Sequence, residues 1–377
     1  MRTFSYWKRL FESNDLLDFT RMGEGLLWLK LRSIDRKDLL AEFCADIGFD
    51  LGNRPTAELI WQRKASCVEF EGWIDGFMRK CQKRENGKID ASIEEIRSNL
   101  YKMTHFHWGG GFRNSLDKAI VSRYVKTASI ISYDQLAIIC DGELKDMSGG
   151  YLRNSWYNYW SSVLIENLFR RNKRVLPAYG KIKNVDFFID GFPFDLKVTY
   201  MPREYVSAAR KHLGVAEPLT VLKRYARKNG IRFNPADTPE QIRYEVSERM
   251  KDSSDPDAMA VLSSIDADWK RTVDDVISRK RELIRWLYEN QGDMRFGAEN
   301  RVYLVLADMD NPDESWKLKR NVDMIAPKIA NWVSDFKREN AADMLTTFTF
   351  KSKRYNAYAD VIFAVKQQQK TKQQHTN

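Results

Sequence analysis

Asp190-Gly191 stands in the middle of the stretch Asn184 to Tyr200, NVDFFIDGFPFDLKVTY, in which apolar residues recur at every second position on both sides of the pair. Aspartate followed by glycine accepts the positive φ that both central residues of a type I′ turn require, so the dipeptide predicts a two-residue β-hairpin. Turn length then sets the register: Ile189 faces Phe192, Phe187 faces Phe194, and Asp186 faces Asp195. Alternation sends Val185, Phe187, Ile189, Phe192, Phe194, Leu196 and Val198 to one face, apolar throughout, which helices must cover. Asp186, Asp195 and Lys197 share the other face.

Carboxylates on directly opposed residues have Cβ atoms about 4.5 to 5.5 Å apart, close enough to repel each other and to reach one cation together. Oxygen ligands of this kind suit Mg²⁺, with Mn²⁺ able to substitute, better than zinc. A bound divalent ion polarises a scissile phosphate and lowers the pKa of its water, while a neighbouring lysine positions the nucleophile and stabilises developing negative charge. Glu166 is the further carboxylate expected, because a helix predicted over Asn154 to Arg171 places it on the side shared with Ser162 and Val163. The expected metal ligands are therefore Asp186, Asp195 and Glu166, with Lys197 completing the catalytic set. Asp190 is an alternative first acid, although a place before Gly191 is explained by the turn alone. Other acid-x-Lys triplets, at Asp35, Glu143, Asp268 and Asp335, lack the surrounding hairpin.

Glu166 on a helix, Asp186, eight intervening residues and then Asp195-Leu196-Lys197 resemble the motif of the PD-(D/E)xK nuclease superfamily, to which restriction endonucleases belong. Val185 stands where the motif's name has proline, and Asp195 where glutamate is commoner. The resemblance covers residues 154 to 200, with 301 to 365 as a completion of the sheet. It implies an α/β (α+β) fold in which a restriction-endonuclease-like mixed sheet is flanked by helices, and an activity of metal-dependent phosphodiester cleavage. The leading expectation is a DNA endonuclease of type II restriction or phage-defence kind. An RNA-cutting or DNA-repair nuclease of the same fold, or a non-catalytic nucleic-acid-binding subunit, stands as the alternative.

Around this core, residues 1 to 150 read as a mostly helical region for DNA recognition or dimerisation, broken by the loop THFHWGGGFR with its H-x-H pair His105 and His107. The nuclease core is expected over 151 to 365, with strands at Val175 to Tyr179, Arg301 to Ala307, Leu345 to Phe350 and Asp360 to Val365 and a helix over Asn321 to Phe336. A charged helical insertion occupies about 201 to 299, and 366 to 377 form a polar tail without a fold of their own.

A formal charge of +10, from 62 basic and 52 acidic residues, favours a polyanionic partner, here double-stranded DNA. Lys181, Lys183, Arg203, Arg210 and Lys211 border the hairpin and are the expected phosphate contacts. Leu222 to Phe233, LKRYARKNGIRF, interleaves cations with Tyr225 and Phe233 and reads either as a segment lying along a nucleic-acid backbone or as an amphipathic helix. Four isolated cysteines, no continuous apolar stretch and no signal-like N-terminus predict a cytoplasmic protein without membrane contact. The phosphate loop of a nucleotide hydrolase is missing, so no ATP is expected to bind. Cutting both strands of a duplex favours a homodimer, and a cognate methyltransferase or defence-system partner fits the restriction reading.

Overall fold

The computed structural model describes residues 1–13, 17–52, 55–104, 138–179, 182, 185–253, 255–290, 300–350 and 352–366. His105, His107, Lys181, Lys183 and the tail beyond Lys366 lie outside the described residues.

Strands β1 (Val175–Pro177), β2 (Phe187–Ile189), β3 (Phe192–Tyr200), β4 (Arg301–Asp308), β5 (Leu345–Phe350) and β6 (Lys353–Lys366) form one mixed sheet in the order β1-β2-β3-β4-β6-β5. β1, β2 and β3 make an antiparallel meander, β3-β4 and β4-β6 are parallel, and β5 closes the far edge antiparallel to β6. The hairpin has the register read from its turn as far as Phe187, which pairs with Phe194, and Ile189, which pairs with Phe192; the expected pair of Asp186 with Asp195 lies outside the ladder, because β2 starts only at Phe187. Asp190 and Gly191 hold φ values of 48° and 80°, the pair of positive angles a type I′ turn needs.

Both faces of the sheet are covered. On one, Phe187, Ile189, Phe192, Phe194 and Leu196 join Val302, Leu304 and Leu306 beneath α8 (Glu143–Arg170) and α14 (Val322–Asp335). Phe169 of α8 stacks on Phe187 at 4.7 Å. The helix bearing Phe169 and Glu166 begins at Glu143, so Asn154 is a buried residue of its interior and not its start, and the helix crosses the division expected near residue 150.

The other face is shared by two groups of helices. Tyr303, Val305, Ala359 and Val361 pack under α9 (Arg203–His212) and α13 (Lys280–Asn290). Leu176, Val185 and Phe188 are covered by the N-terminal helices α1 (Phe4–Glu12), α3 (Gly23–Ser33), α4 (Lys37–Asp46), α5 (Ala57–Lys64) and α6 (Phe70–Asp90). Val185 thus leaves the face that alternation assigned to it, because the strand begins only at Phe187 and the chain bends at Asp186. Residues 1 to 90 consequently share a core with the hairpin. Within these helices Gly25 leaves no room for a side chain: a Cβ there would come within 2.9 Å of both the Phe19 backbone and the Trp7 ring. Hydrogen bonds fasten the two parts as well, from Tyr179 N to Ser33 O at 2.9 Å and from Gln82 Nε2 to Val175 O at 3.1 Å.

The segment joining β3 to β4 is helical as expected. Besides α9 and α13 it contains α10 (Pro218–Lys228), α11 (Pro239–Asp252) and α12 (Pro256–Ser278). Leu222, Ala226, Ile242, Val246, Met250 and Ala258 give these last three helices an apolar core of their own. Thr238 and Gln241 form a reciprocal capping box at the start of α11.

Candidate active site

The site forms where β3 changes partners. Up to Phe194 the strand pairs with β2; at Asp195 its backbone N–H turns to Asn300 O at 2.9 Å, and the parallel ladder with β4 begins. Asp186 lies just before the start of β2, its N–H bonded to Phe194 O at 2.8 Å. Its Oδ2 accepts from Leu196 N at 2.7 Å, so the carboxylate takes over as a ladder acceptor where the strand pairing stops. A backbone donor held this way fixes the orientation of Asp186 without neutralising it.

Asp195, 5% exposed, is held on both oxygens. Lys197 Nζ donates to Oδ1 at 2.7 Å, as two residues on one face of a strand permit, and Arg301 Nε donates to Oδ2 at 3.0 Å. Arg301 reaches Asp195 because the parallel register sets the two residues side by side. Its own guanidinium is buried, stands over the Tyr288 ring at 5.1 Å and donates to Tyr303 Oη at 3.4 Å. Lys197 keeps 29% of its side chain exposed, so solvent reaches the site from its side.

Glu166 comes from α8, where Arg170, one turn on, donates to its Oε2 at 3.0 Å. Burial raises the Glu166 pKa, opposed by the positive charges of Arg170 and Lys197. About a third of that side chain remains exposed, which limits how far burial can act. Asp186 is pushed up to about 6, first by burial and then by the negative charges of Asp195 and Glu166, against the Leu196 hydrogen bond and Lys197. Each of the four expected residues therefore acts on the charge of another. β3 supplies Asp195 and Lys197, the residue before β2 is Asp186, and α8 supplies Glu166.

The remaining expected residues are scattered. Asp190 is exposed in the turn and paired with Arg174 Nε at 3.1 Å, away from the other acids. Arg203 is exposed and pairs with Asp313 at 3.1 Å. Arg210 is 2% exposed, and its Nη2 donates to Ala216 O at 3.0 Å. It braces the turn after α9 and does not present its guanidinium as a surface phosphate contact, because helical spacing turns it inward beside Val206 and Ala209. Lys211 is exposed, at the rim of a cleft lined by Glu204, Ser207, Val215 and Glu217.

Arg301 is the site residue that sequence reading missed. A parallel partner 106 positions away leaves no local trace. Arg170 was missed as well, although its place four residues after Glu166 on one helix is a signal that could have found it. A further buried cation, Lys319, lies on the segment after β4. Its Nζ donates to Asn158 Oδ1 at 2.8 Å and stands 5.6 Å from the Tyr200 ring, and burial pushes its pKa down to about 8.

Chemically, the donor set fits a hard divalent cation. All the acids offer oxygen, and Asp186 carries a charge that its surroundings oppose. Among the described residues no three carboxylate, histidine or cysteine side chains already stand grouped as a metal cage, and Asp195 meets two protein cations in this state. No protein-family model matches this chain, and no curated protein or solved structure is significantly similar to it.

Proposed function

We propose that this chain is a metal-dependent nuclease of restriction-endonuclease-like fold that hydrolyses phosphodiester bonds of DNA, in restriction or phage defence. The observation that carries the reading is the meeting of Asp186 with the Asp195–Lys197 pair at the point where β3 passes from β2 to β4. A hairpin in a mixed sheet flanked by helices, with Glu166 on the helix before it, agrees with the resemblance drawn from the sequence.

Asp186 and Asp195 would hold Mg²⁺ or Mn²⁺, with Glu166 as the outer carboxylate, and the ion supplies Lewis acidity toward a phosphate and a lower pKa for water. Lys197 places a fixed positive charge beside the two aspartates, where it opposes the negative charge that gathers on a phosphate under attack. Asp195 Oδ1 orients that ammonium, and Arg301 in turn fixes Asp195. Arg170 restrains Glu166, whose ionised form it favours.

Cleavage of plasmid and phage DNA in Mg²⁺ or Mn²⁺ tests the reading, with Lys197→Ala and Asp186→Asn beside the wild type. Loss of one preorganised electrostatic contact typically costs 10² to 10³ in rate, so Lys197→Ala should be slower by about that factor. Equal cutting by all three proteins rules the site out. Cleavage of RNA in preference to DNA would reassign the substrate while leaving the chemistry in place.

A further inference from the structure

From the charge carried by α10, we infer that the three-helix unit inserted between β3 and β4 is a nucleic-acid docking surface that grips the phosphate backbone through Lys223, Arg224, Arg227 and Lys228. The inference deepens the nuclease reading by naming where the substrate's backbone lies, and its test is arranged to stand apart from cleavage.

Between Glu217 and Asp237 the chain contains no acidic residue, while it carries those four cations and Arg232. Positions i, i+1, i+4 and i+5 lie along one side of a helix, and the opposite side is spent on the unit's core through Leu222 and Ala226. Arg224, Arg227 and Lys228 are exposed and Lys223 half-buried, its Nζ 5.8 Å from the Phe233 ring. Tyr225 takes no part in this face, because its hydroxyl donates to Asp255 and its ring packs against the unit's core.

Pairing separates this helix from its neighbours. On α11, Lys251 meets Glu248 at 2.8 Å and Arg249 meets Glu245; on α12, Arg271 meets Asp268 at 3.4 Å. Among the described residues, none of the α10 cations has a carboxylate within ion-pair distance. A merely solvated helix would be expected to mix signs as α11 and α12 do, whereas α10 concentrates one sign on a firmly packed scaffold.

Charge density selects the ligand. Residues 223 to 228 span about 7.5 Å of helix axis, so four cations give roughly one positive charge per 2 Å. Duplex DNA carries one negative charge per ~1.7 Å of its axis, a comparable density that few other ligands offer in a linear array. Two of the four cations are arginines, whose planar forks suit phosphate oxygens.

The experiment measures binding of the full chain to a fluorescent 30-bp duplex in EDTA, where no cleavage intervenes, as a function of salt. Expected is at least a tenfold loss of affinity at 100 mM salt for Arg224→Gln/Arg227→Gln/Lys228→Gln, with the slope of log K against log salt shallower by about 2 to 3. Arg249→Gln/Lys251→Gln, which removes charges already paired on α11, should bind as the wild type does. Melting temperatures of both variants should match the wild type, since the altered side chains are solvated. Unchanged affinity and slope in the triple variant overturn the inference, as does an equal loss in the α11 control or a wild type that binds no nucleic acid. Tighter binding to phosphatidylserine vesicles than to the duplex overturns it in favour of a membrane. Preference for duplex RNA upholds the surface and identifies the source of the backbone. A wild type that fails to cut in Mg²⁺ yet shows the expected salt slope retires the nuclease reading and leaves the docking surface standing.

Discussion

Arg301 Nε lies 3.0 Å from Oδ2 of Asp195, on the strand next to it, so the one carboxylate carries a cation on each oxygen, Lys197 being the other. Both members of the Arg301–Asp195 pair are buried, which makes each one's charge costly without its partner. Arg301→Gln is therefore expected to destabilise the fold by about 3 to 5 kcal/mol in urea unfolding, the usual cost of breaking a buried pair. Adding Asp195→Asn should recover part of that loss by removing a buried charge left with Lys197 as its one named cation. Strictly additive effects of the two changes would mean that the residues are not coupled.

Asp186 has the opposite character, a carboxylate whose neighbours oppose its charge. Its pKa is about 6 in the folded protein and near the ordinary 3.8 when unfolded. The folded state therefore holds the proton longer, and ionising Asp186 lowers stability as pH rises from about 4 to 6, with the full cost present above that window. A shift of this size corresponds to about 2 to 3 kcal/mol. Asp186→Asn keeps an oxygen for Leu196 N and removes the charge, so its thermal stability should exceed the wild type's at pH 8 and approach it at pH 4. A difference independent of pH would contradict the assignment.

Divalent cations should reverse this penalty. Mg²⁺ or Mn²⁺ at about 100 times its dissociation constant stabilises a folded protein by ~2.7 kcal/mol when it binds only that state. The wild type is expected to melt higher in either ion and to return to its original melting temperature in EDTA, whereas Asp186→Asn should respond little. An equal rise in both proteins would point to binding elsewhere on the surface.

Lys319 offers a test outside the site. Its folded pKa is about 8 against 10.5 for a free lysine, so the folded protein releases the proton first, and stability falls as pH drops from about 10 to 8 and stays reduced below. Lys319→Met retains the length of the stem and removes the charge. Stability should increase at pH 7, by about 3 kcal/mol at most, with the gain shrinking from about pH 8 to pH 10. A loss of stability at pH 7 would show that the Asn158 and Tyr200 contacts outweigh the burial of the ammonium.

Local geometry decided what could be read from the sequence. Asp190-Gly191 dictates a turn, a turn dictates a register, and the register pairs Phe187 with Phe194, leaving Asp186 and Asp195 next to that last pair. Glu166 was accessible through helical spacing in the same way. Val185 was misplaced because alternation holds only while a strand lasts, and β2 starts only at Phe187. Arg210 was misread because its charge suggested a surface, while its position on α9 turns it inward. Arg301 had no signal at all: parallel strands joined by a long helical segment can pair in many registers that look alike along the chain. The N-terminal helices were legible as helices, but not as the cover of Phe188, since nothing in an amphipathic pattern names its partner.

The 106 residues that separate Asp195 from Arg301 also set an order of events during synthesis. At about 5 to 20 residues per second, the ribosome delivers the arginine roughly 5 to 20 s after the aspartate. Through that interval β4, the strand that takes up the pairing of β3 from Asp195 onward, does not yet exist. The Asp195–Arg301 pair can thus form only after the whole helical segment between β3 and β4 has been made, so the geometry around Asp195 cannot precede that segment during synthesis.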